Sequence, residues 1–258
     1  MRAALILSVL LLCVGATVHA APGVYLEDFT SPELRAAIQS GSTTVIIPAG
    51  GTEQSGPHMA LGKHNVRARV LAGRIAQTLG DTLVAPVVAY TPEEPGHQKF
   101  AGTISVPAAT FRSLLESAAR SLRQAGFTHI VLLGDHGGYQ PLLKETAAAL
   151  NKEWAGSGVR AHYIEDYYRT TQTAYVQALR GKGLSDAQIG SHAGTADTSL
   201  MLAIDPALVR TDRLAGRNAN DGTVGDPSPS SAALGQLGVD LIVSQTVSAI
   251  RKARAEKQ

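Results

Sequence analysis

Apolar positions fall into short blocks along the chain, and several of these blocks predict buried strands. Four runs are rich in β-branched and aliphatic residues and end in glycines or polar turns, the pattern of strands inside a sheet. They cover residues 43–48, 82–88, 129–133 and 161–164, and a shorter run lies at 103–106. The segment between the second strand and this shorter run, TPEEPGHQKFAG, is rich in turn residues and predicts a loop.

Helical spacing is visible between these strands. One apolar set has the period of a helix and is followed by Gly126 as a stop: Phe111, Leu114, Leu115, Ala118 and Leu122. Further helices are predicted over residues 65–79, with Asn65 as the cap, and over 141–154, 171–179, 186–190 and 232–255. Strands that alternate with helices indicate an α/β fold whose sheet is mostly parallel and covered on both faces.

The first 20 residues have the pattern of a secretory signal. Arg2 precedes an apolar run over residues 3–18, and small residues surround a cleavage point after Ala20. The run is shorter than the roughly 20 residues of a membrane span. We therefore expect residues 1–20 to be a signal peptide, residues 21–258 to form a single domain, and the mature protein to be periplasmic or secreted without a membrane anchor.

Composition excludes several classes of function. Cys13 is the only cysteine and lies in the signal segment, so the mature chain should have no disulfide and no thiol chemistry. The formal charge of +2 offers no footprint for nucleic acid. The GxSxG, Walker and GxGxxG motifs are absent, which argues against serine hydrolase, phosphoryl-transfer and hydride-transfer chemistry.

Candidate chemistry lies in polar segments. GGTEQSGPHMALGKHN (50–65) and GDHGGYQ (134–140) follow predicted strands, at the strand ends where ligands gather in parallel sheets, and SHAGTADTS (191–199) lies further along. Imidazoles and carboxylates of this kind bind divalent metals, and the candidates are Glu53, His58, His64, His136, His192 and Asp197. The spacing is weakly specific, so these side chains could equally hydrogen-bond their own glycine-rich loops.

Other polar positions are open to two interpretations. Gly137 and Gly138 permit close backbone approach beside His136, or form an ordinary turn from strand to helix. His97 can reach a substrate or lie in a solvated loop. His129 and His162 fall within predicted strands, where a structural role is expected.

Five segments occur in an order that resembles the creatininase family of metal-dependent amidohydrolases, over residues 43–242: IPAGGTEQSGPHMALGKHN, FAGTISV, LLGDHGG, SHAGTADTSLML and GDP. The resemblance implies a three-layer α/β/α fold with a mostly parallel central sheet, and a homo-oligomer, commonly a hexamer. It also implies one or two divalent ions at the carboxyl ends of the strands. The implied reaction is hydrolysis of a non-peptide or cyclic amide C–N bond in a small molecule.

The resemblance also implies roles for individual residues. The metal ligands would be Glu53, His64, His136 and Asp197, and the cation would be Zn²⁺, or Mn²⁺ or Fe²⁺. Glu53 and His192 would be catalytic, with His192 giving a proton to the leaving nitrogen. Substrate contacts would come from Ser55, His58, His97, Gly137 and Gly138.

Three departures from the family pattern limit these expectations. Ser55 stands where the family usually has a histidine, and His64 where it usually has an aspartate that bridges two ions. We therefore expect one ion per chain. Ser191 replaces a glutamate, which argues against creatinine as the substrate. A member that has lost catalysis and binds a small molecule or metal in the periplasm is the main alternative, and a structural oligomer is a third.

Overall fold

The computed structural model describes residues 23–215 and 220–256. The predicted signal peptide and residues 216–219 of a predicted long loop lie outside this part of the chain. Within it, parallel strands form one sheet in the order β2-β1-β3-β4. Their bounds are β1 Thr44–Ala49, β2 Thr82–Val84, β3 His129–Gly134 and β4 Arg160–Tyr163.

Helices cover both faces of the sheet. In chain order they are α1 Ser31–Gln39, α2 Lys63–Leu79, α3 Ala108–Ala125, α4 Gln140–Glu153, α5 Asp166–Gln172, α6 Ala174–Gly181, α7 Asp186–Ile189, α8 Thr195–Ile204 and α9 Ala232–Ala255. Val45 and Ile47 of β1 pack in a core with α3 and α4. Ile46, which points to the opposite face, packs in a second core with α2, α5, α6, α8 and α9. The predicted three-layer α/β/α architecture is confirmed.

Helix α9 is the element of the described chain that is long and apolar enough to cross a membrane by length and composition. In this fold it packs along α8, and its buried side chains belong to the core that α9 shares with α2 and α5. A Cβ at Gly235 would lie 1.8 Å from the carbonyl oxygen of Ser199. Glycine at this position therefore lets α9 approach α8 closely.

Four of the strand predictions are right in position, one of these is too long, and the predicted strand 103–106 is wrong. The predicted strand 82–88 stops at Val84, because Pro86 has no N–H to donate to a neighbouring strand. The chain rejoins β1 at Val88, whose N–H donates to the Pro48 carbonyl at 2.9 Å. Residues 103–106 form isolated pairings with Thr52 and Thr91 in place of a regular strand.

The helix predictions need three corrections. Helix α2 begins at Lys63, so Asn65 lies inside its first turn, and the Asn65 amide oxygen accepts the Gly51 N–H at 2.9 Å. The predicted helix 171–179 is divided at Thr173 into α5 and α6. The sequence analysis did not predict helices α1 and α8. Helix α8 lacks a clear pattern of apolar positions because several of its buried side chains carry hydroxyl groups.

Candidate metal centre and active site

The polar segments meet at the carboxyl edge of the sheet. β1 and β3 are neighbours and end together, with Ala49 opposite Gly134. The Tyr139 hydroxyl accepts the N–H groups of Asp135 and His136, both at 3.1 Å, and lies 2.8 Å from the Ala49 carbonyl oxygen, so it joins the two strand ends. A cavity of about 400 Å³ opens here, and its lining includes His64, His97, His136, Gly137, Gly138 and His192.

Glu53 lies at the centre of the site, and its side chain is fully buried. Its Oε1 is 2.8 Å from His64 Nε2, and its Oε2 is 2.6 Å from His97 Nδ1. Two further imidazole nitrogens lie slightly beyond hydrogen-bond distance, at 3.7 Å for His136 Nε2 and 3.8 Å for His192 Nδ1. Burial acts to raise the pKa of Glu53, but the hydrogen bond from His64 and the charge of Lys63 hold it well below its usual range.

These contacts form two overlapping groups of possible metal ligands. In each group one ligand atom per residue lies within 4.8 Å of the others. The first group is Glu53, His64 and His136, and the second is Glu53, His97 and His192. Three predicted ligands therefore come together from two segments of the chain, and His97 joins them from a third.

His64 is oriented by a carboxylate that the sequence did not single out. Asp135 Oδ2 lies 2.6 Å from His64 Nδ1, while the opposite ring nitrogen faces Glu53. Metal-binding histidines commonly have their second nitrogen fixed by a carboxylate in this way. Burial and Lys63 act to lower the pKa of His64, but its hydrogen bonds with Asp135 and Glu53 raise it above the ordinary value.

Asp197, a predicted ligand, lies outside both groups of the described residues. Its carboxylate pairs with Lys63 and Arg67 of α2, and it also accepts the Ala193 N–H at 3.1 Å. Burial acts to raise the pKa of Asp197, but the charges of Lys63 and Arg67 hold it well below its usual range. Lys63 is itself 1% exposed and lies 3.8 Å from Glu53 Oε1, so α2 brings a buried ammonium into the site.

His192 lies in the wall of the cavity. Its backbone pairs with Val224 through two hydrogen bonds, and its ring lies against His97 with centroids 4.3 Å apart. His192 Nε2 lies 3.0 Å from the Gln54 backbone carbonyl oxygen and 3.1 Å from the Gln54 side-chain amide nitrogen, so Gln54 fixes the orientation of the ring. The other ring nitrogen, Nδ1, faces Glu53. Burial and the charge of Lys63 lower the pKa of His192 to about 4.

His136 presents Nε2 to two carboxylates. The Gly138 N–H donates to His136 Nδ1 at 3.1 Å, so the short Gly137–Gly138 turn fixes the ring. The opposite nitrogen is 3.7 Å from Glu53 Oε2 and 3.9 Å from Glu93 Oε2. Burial lowers the pKa of His136 to about 3.

Glu93 is a site residue that sequence reasoning missed. Its side chain is fully buried, and its Oε1 accepts the Thr91 hydroxyl at 2.7 Å. Its Oε2 has no hydrogen-bond partner among the described residues. Burial raises the pKa of Glu93 to about 7, and the nearby Glu53 carboxylate acts in the same direction. The signal available in the sequence was the acidic pair in PEEPGH just before His97.

Two predicted substrate contacts lie beneath the site. Ser55 and His58 are buried, and among the described residues neither is part of the cavity lining. His58 Nε2 is 2.9 Å from the Thr198 hydroxyl, which ties the first polar segment to α8. The other predicted contacts, His97, Gly137 and Gly138, do line the cavity.

The residues present fit a divalent cation. Carboxylate and imidazole donors suit Zn²⁺, Mn²⁺ and Fe²⁺, and Asp135 supplies the outer contact that orients a ligand histidine. The unpartnered Glu93 Oε2 is a further oxygen donor beside His136. Fold and site define a class of protein: a three-layer α/β/α chain with a candidate metal centre of histidines and carboxylates outside the carboxyl edge of its sheet.

Comparison with known proteins agrees with that class. The family model "Creatininase: Creatinine amidohydrolase" matches residues 27–250. A mycofactocin precursor peptide peptidase of Mycobacterium ulcerans (strain Agy99) is 30% identical, over 81% of this chain and 85% of that protein. A creatinine amidohydrolase of Pseudomonas putida is 25% identical, over 89% of this chain and 96% of that protein.

A solved structure described as "Creatininase Mn" has a TM-score of 0.78 and 25% identity, over 91% of this chain and 100% of that one. The chain belongs to the creatininase family of metal-dependent amidohydrolases.

Proposed function

We propose that this protein is a hydrolase that binds one divalent cation per chain and cleaves an amide C–N bond of a small molecule. The observation that carries the proposal is the buried Glu53 carboxylate, which four imidazoles surround at 2.6–3.8 Å. The cavity of about 400 Å³ above it has the size of a small-molecule site.

Glu53, His64 and His136 would bind the cation, with Zn²⁺ as the first choice and Mn²⁺ or Fe²⁺ as alternatives. When bound, a cation of this kind lowers the pKa of water and polarises the substrate carbonyl. The chain itself keeps the ligands in place: Asp135 orients the His64 ring, and the Gly138 N–H fixes the ring of His136.

His192 would transfer the proton. Its lowered pKa of about 4 leaves the ring neutral near pH 7, and its Nδ1 faces Glu53 Oε1 at 3.8 Å in the cavity wall. It can therefore accept the proton that water loses during attack and deliver it to the leaving nitrogen. The backbone carbonyl and side-chain amide of Gln54 both contact Nε2 and keep the ring in this orientation.

The substrate we propose is a non-peptide or cyclic amide. A second candidate, a peptide bond in a short peptide, is favoured by the 30% identity to a protein named as a precursor peptide peptidase. Both candidates place a carbonyl near Glu53 and a leaving nitrogen near His192, and they differ in how much chain must fit in the cavity.

The test is a metal measurement combined with an amide screen. The mature chain, without a chelating tag, is analysed by mass spectrometry for metal per subunit, and then assayed on cyclic amides, linear non-peptide amides and short peptides. We expect about one equivalent of metal, turnover on at least one panel, and loss of turnover on chelation. His192→Gln should retain its metal and lose about 100-fold or more in kcat.

A matched control comes from the opposite end of the sheet, where His162→Gln should leave both metal content and turnover unchanged. A wild-type chain that takes up no metal on titration would overturn the proposal. Stoichiometric binding of metal without turnover on any panel would support the alternative of a binding protein.

We also propose that the mature chain is periplasmic or secreted and forms a homo-oligomer, on the support of the signal pattern and the family resemblance. N-terminal sequencing of the exported protein and its mass by light scattering are the measurements. An unprocessed intracellular monomer would overturn both statements.

A further inference from the structure

Glu93 has one satisfied and one unsatisfied oxygen in a buried environment. Thr91 donates its hydroxyl to Oε1 at 2.7 Å, whereas Oε2 has no hydrogen-bond partner among the described residues. A buried carboxylate oxygen without a partner is costly, because the water it loses on folding is not replaced. Such an atom in a folded protein indicates that something else satisfies it.

The direction of Oε2 indicates what that partner is. Oε2 lies 3.9 Å from His136 Nε2, and the same nitrogen lies 3.7 Å from Glu53 Oε2. Ligand atoms that share a zinc ion at about 2.0–2.2 Å lie roughly 3.3–3.5 Å apart in tetrahedral geometry. These two separations are close to those of common ligands. Glu93 belongs to neither group of possible ligands among the described residues, so its side chain must rotate towards Glu53 for the two carboxylates to share the ion.

The backbone makes room for this carboxylate. A Cβ at Gly51 would lie 2.6 Å from Glu93 Oε1, so glycine at position 51 is needed for Glu93 to enter the site. The Glu93 N–H donates to the Ser105 hydroxyl at 3.0 Å, and Gln98 donates to the Glu93 carbonyl at 2.9 Å. These contacts hold the segment that carries Glu93 over the end of β1.

Both carboxylate oxygens of Asp197 have protein partners, whereas Glu93 Oε2 has none among the described residues. Lys63 and Ala193 contact one of its oxygens, and Arg67 contacts the other. For Asp197 to bind a cation, at least one of these contacts would have to break and leave a buried positive charge without its partner. Glu93 can offer Oε2 and keep its bond to Thr91.

We propose that Glu93 is a ligand of the same cation as Glu53 and His136, and that it supplies the carboxylate that closes the site. This inference rests on the proposed metal-dependent function. It assigns the second acidic ligand to the segment before His97, and it leaves Asp197 as the partner of Lys63 and Arg67.

The test compares zinc affinity in wild type, Glu93→Gln, Asp197→Asn and Glu94→Gln. Glu94 is exposed in the wall of the same cavity, so Glu94→Gln makes the same change in charge one residue away without removing a buried carboxylate. The apo proteins are titrated with Zn²⁺ against a chromophoric chelator, and Co²⁺ spectra report the ligand set. We expect Glu93→Gln to weaken zinc binding at least about 10-fold and to change the Co²⁺ spectrum, and Glu94→Gln to stay within about threefold of wild type.

A second readout needs no metal. Because Glu93→Gln removes a buried charge, its metal-free Tm should equal or exceed that of wild type while its zinc affinity falls. If Glu93→Gln does not fold, Glu93→Asp keeps the charge on a shorter stem and should weaken zinc binding in the same direction.

The outcomes separate the two proposals. Absence of zinc binding by wild type would overturn the proposed function itself. If wild type binds zinc and Glu93→Gln binds it with the same affinity, only the role of Glu93 is overturned. A loss of affinity in Asp197→Asn with none in Glu93→Gln would assign the acidic ligand to Asp197.

Discussion

Histidines occur at both ends of strand β3, and the two ends have opposite electrostatic surroundings. His136 follows the carboxyl end, where its Nε2 faces the buried carboxylates Glu53 and Glu93. His129 begins the strand, and its Nδ1 lies 3.0 Å from His162 Nε2 of β4. The charges that act on the His129–His162 pair include the cations Arg160 and Arg254.

The difference shows that carboxylates, and not histidines alone, distinguish the two ends. The histidines at both ends are at least partly buried, and burial lowers the pKa of His129, His162 and His136 alike. At the carboxyl end, buried negative charges can compensate a cation. At the amino end, Arg160 and Arg254 act against a cation, and the nearby Asp81 carboxylate is paired with Arg254. No group of possible metal ligands is found there among the described residues.

The largest effect should come from removing the arginine that compensates two carboxylates at the carboxyl end, Asp135 and Asp197. Arg67 is buried and pairs with both Asp135 and Asp197. Arg67→Met leaves the buried Asp135 and the partly buried Asp197 without that partner, which should lower the free energy of unfolding by about 3–5 kcal/mol. Urea denaturation of the metal-free protein measures the change.

The control for this variant lies at the amino end. Arg254 pairs with Asp81, and both side chains are partly exposed. Arg254→Met should therefore cost only about 0–1 kcal/mol. Equal losses in Arg67→Met and Arg254→Met would contradict the distinction between the two ends of the sheet.

A smaller effect separates the histidines directly. Zn²⁺ at about 100 times its Kd should raise the free energy of unfolding by about 2.7 kcal/mol, because it binds the folded chain alone. His136→Gln should lose most of this gain, and His129→Gln should retain it. Thermal denaturation with and without zinc is the measurement, and an equal gain in both variants would place the ion elsewhere.

Much of the fold follows from local pattern. The apolar runs of β1 and β3 are buried on both faces, so each strand was visible as a continuous hydrophobic stretch. Helix α8 was missed because its burial includes Thr195, Thr198 and Ser199, whose polarity hides the packing from a pattern of apolar residues.

The sequence predicted only those site residues that lie in segments next to strand ends. Glu53, His64 and His136 come from segments next to strand ends, and the parallel sheet brings those ends together. Glu93 was not predictable, because its neighbour Glu94 has the same chemistry and only the folded loop buries one and exposes the other. The pairing of Asp197 with Lys63 depends likewise on how α8 packs against α2.

The smallest expected effect is a pH dependence at the amino end. His162 is 8% exposed, and burial, with the charges of His129, Arg160 and Arg254, lowers its pKa to about 4. The unfolded chain, with a histidine pKa of about 6.5, binds this proton first. The contribution of His162 to stability is therefore complete above about pH 6.5 and is lost as the pH falls towards 4.

Between pH 7 and 4.5, metal-free wild type should lose about 1–2 kcal/mol more than His162→Gln, because the variant has no proton to take up at this position. His136 and His192 also have lowered pKa values, but they are present in both proteins and cancel in the difference. Urea denaturation at the two pH values gives the comparison. If the free energy of unfolding falls by the same amount in both proteins, the His129–His162 pair does not resist protonation. The loss of stability at low pH then comes from the carboxyl end alone.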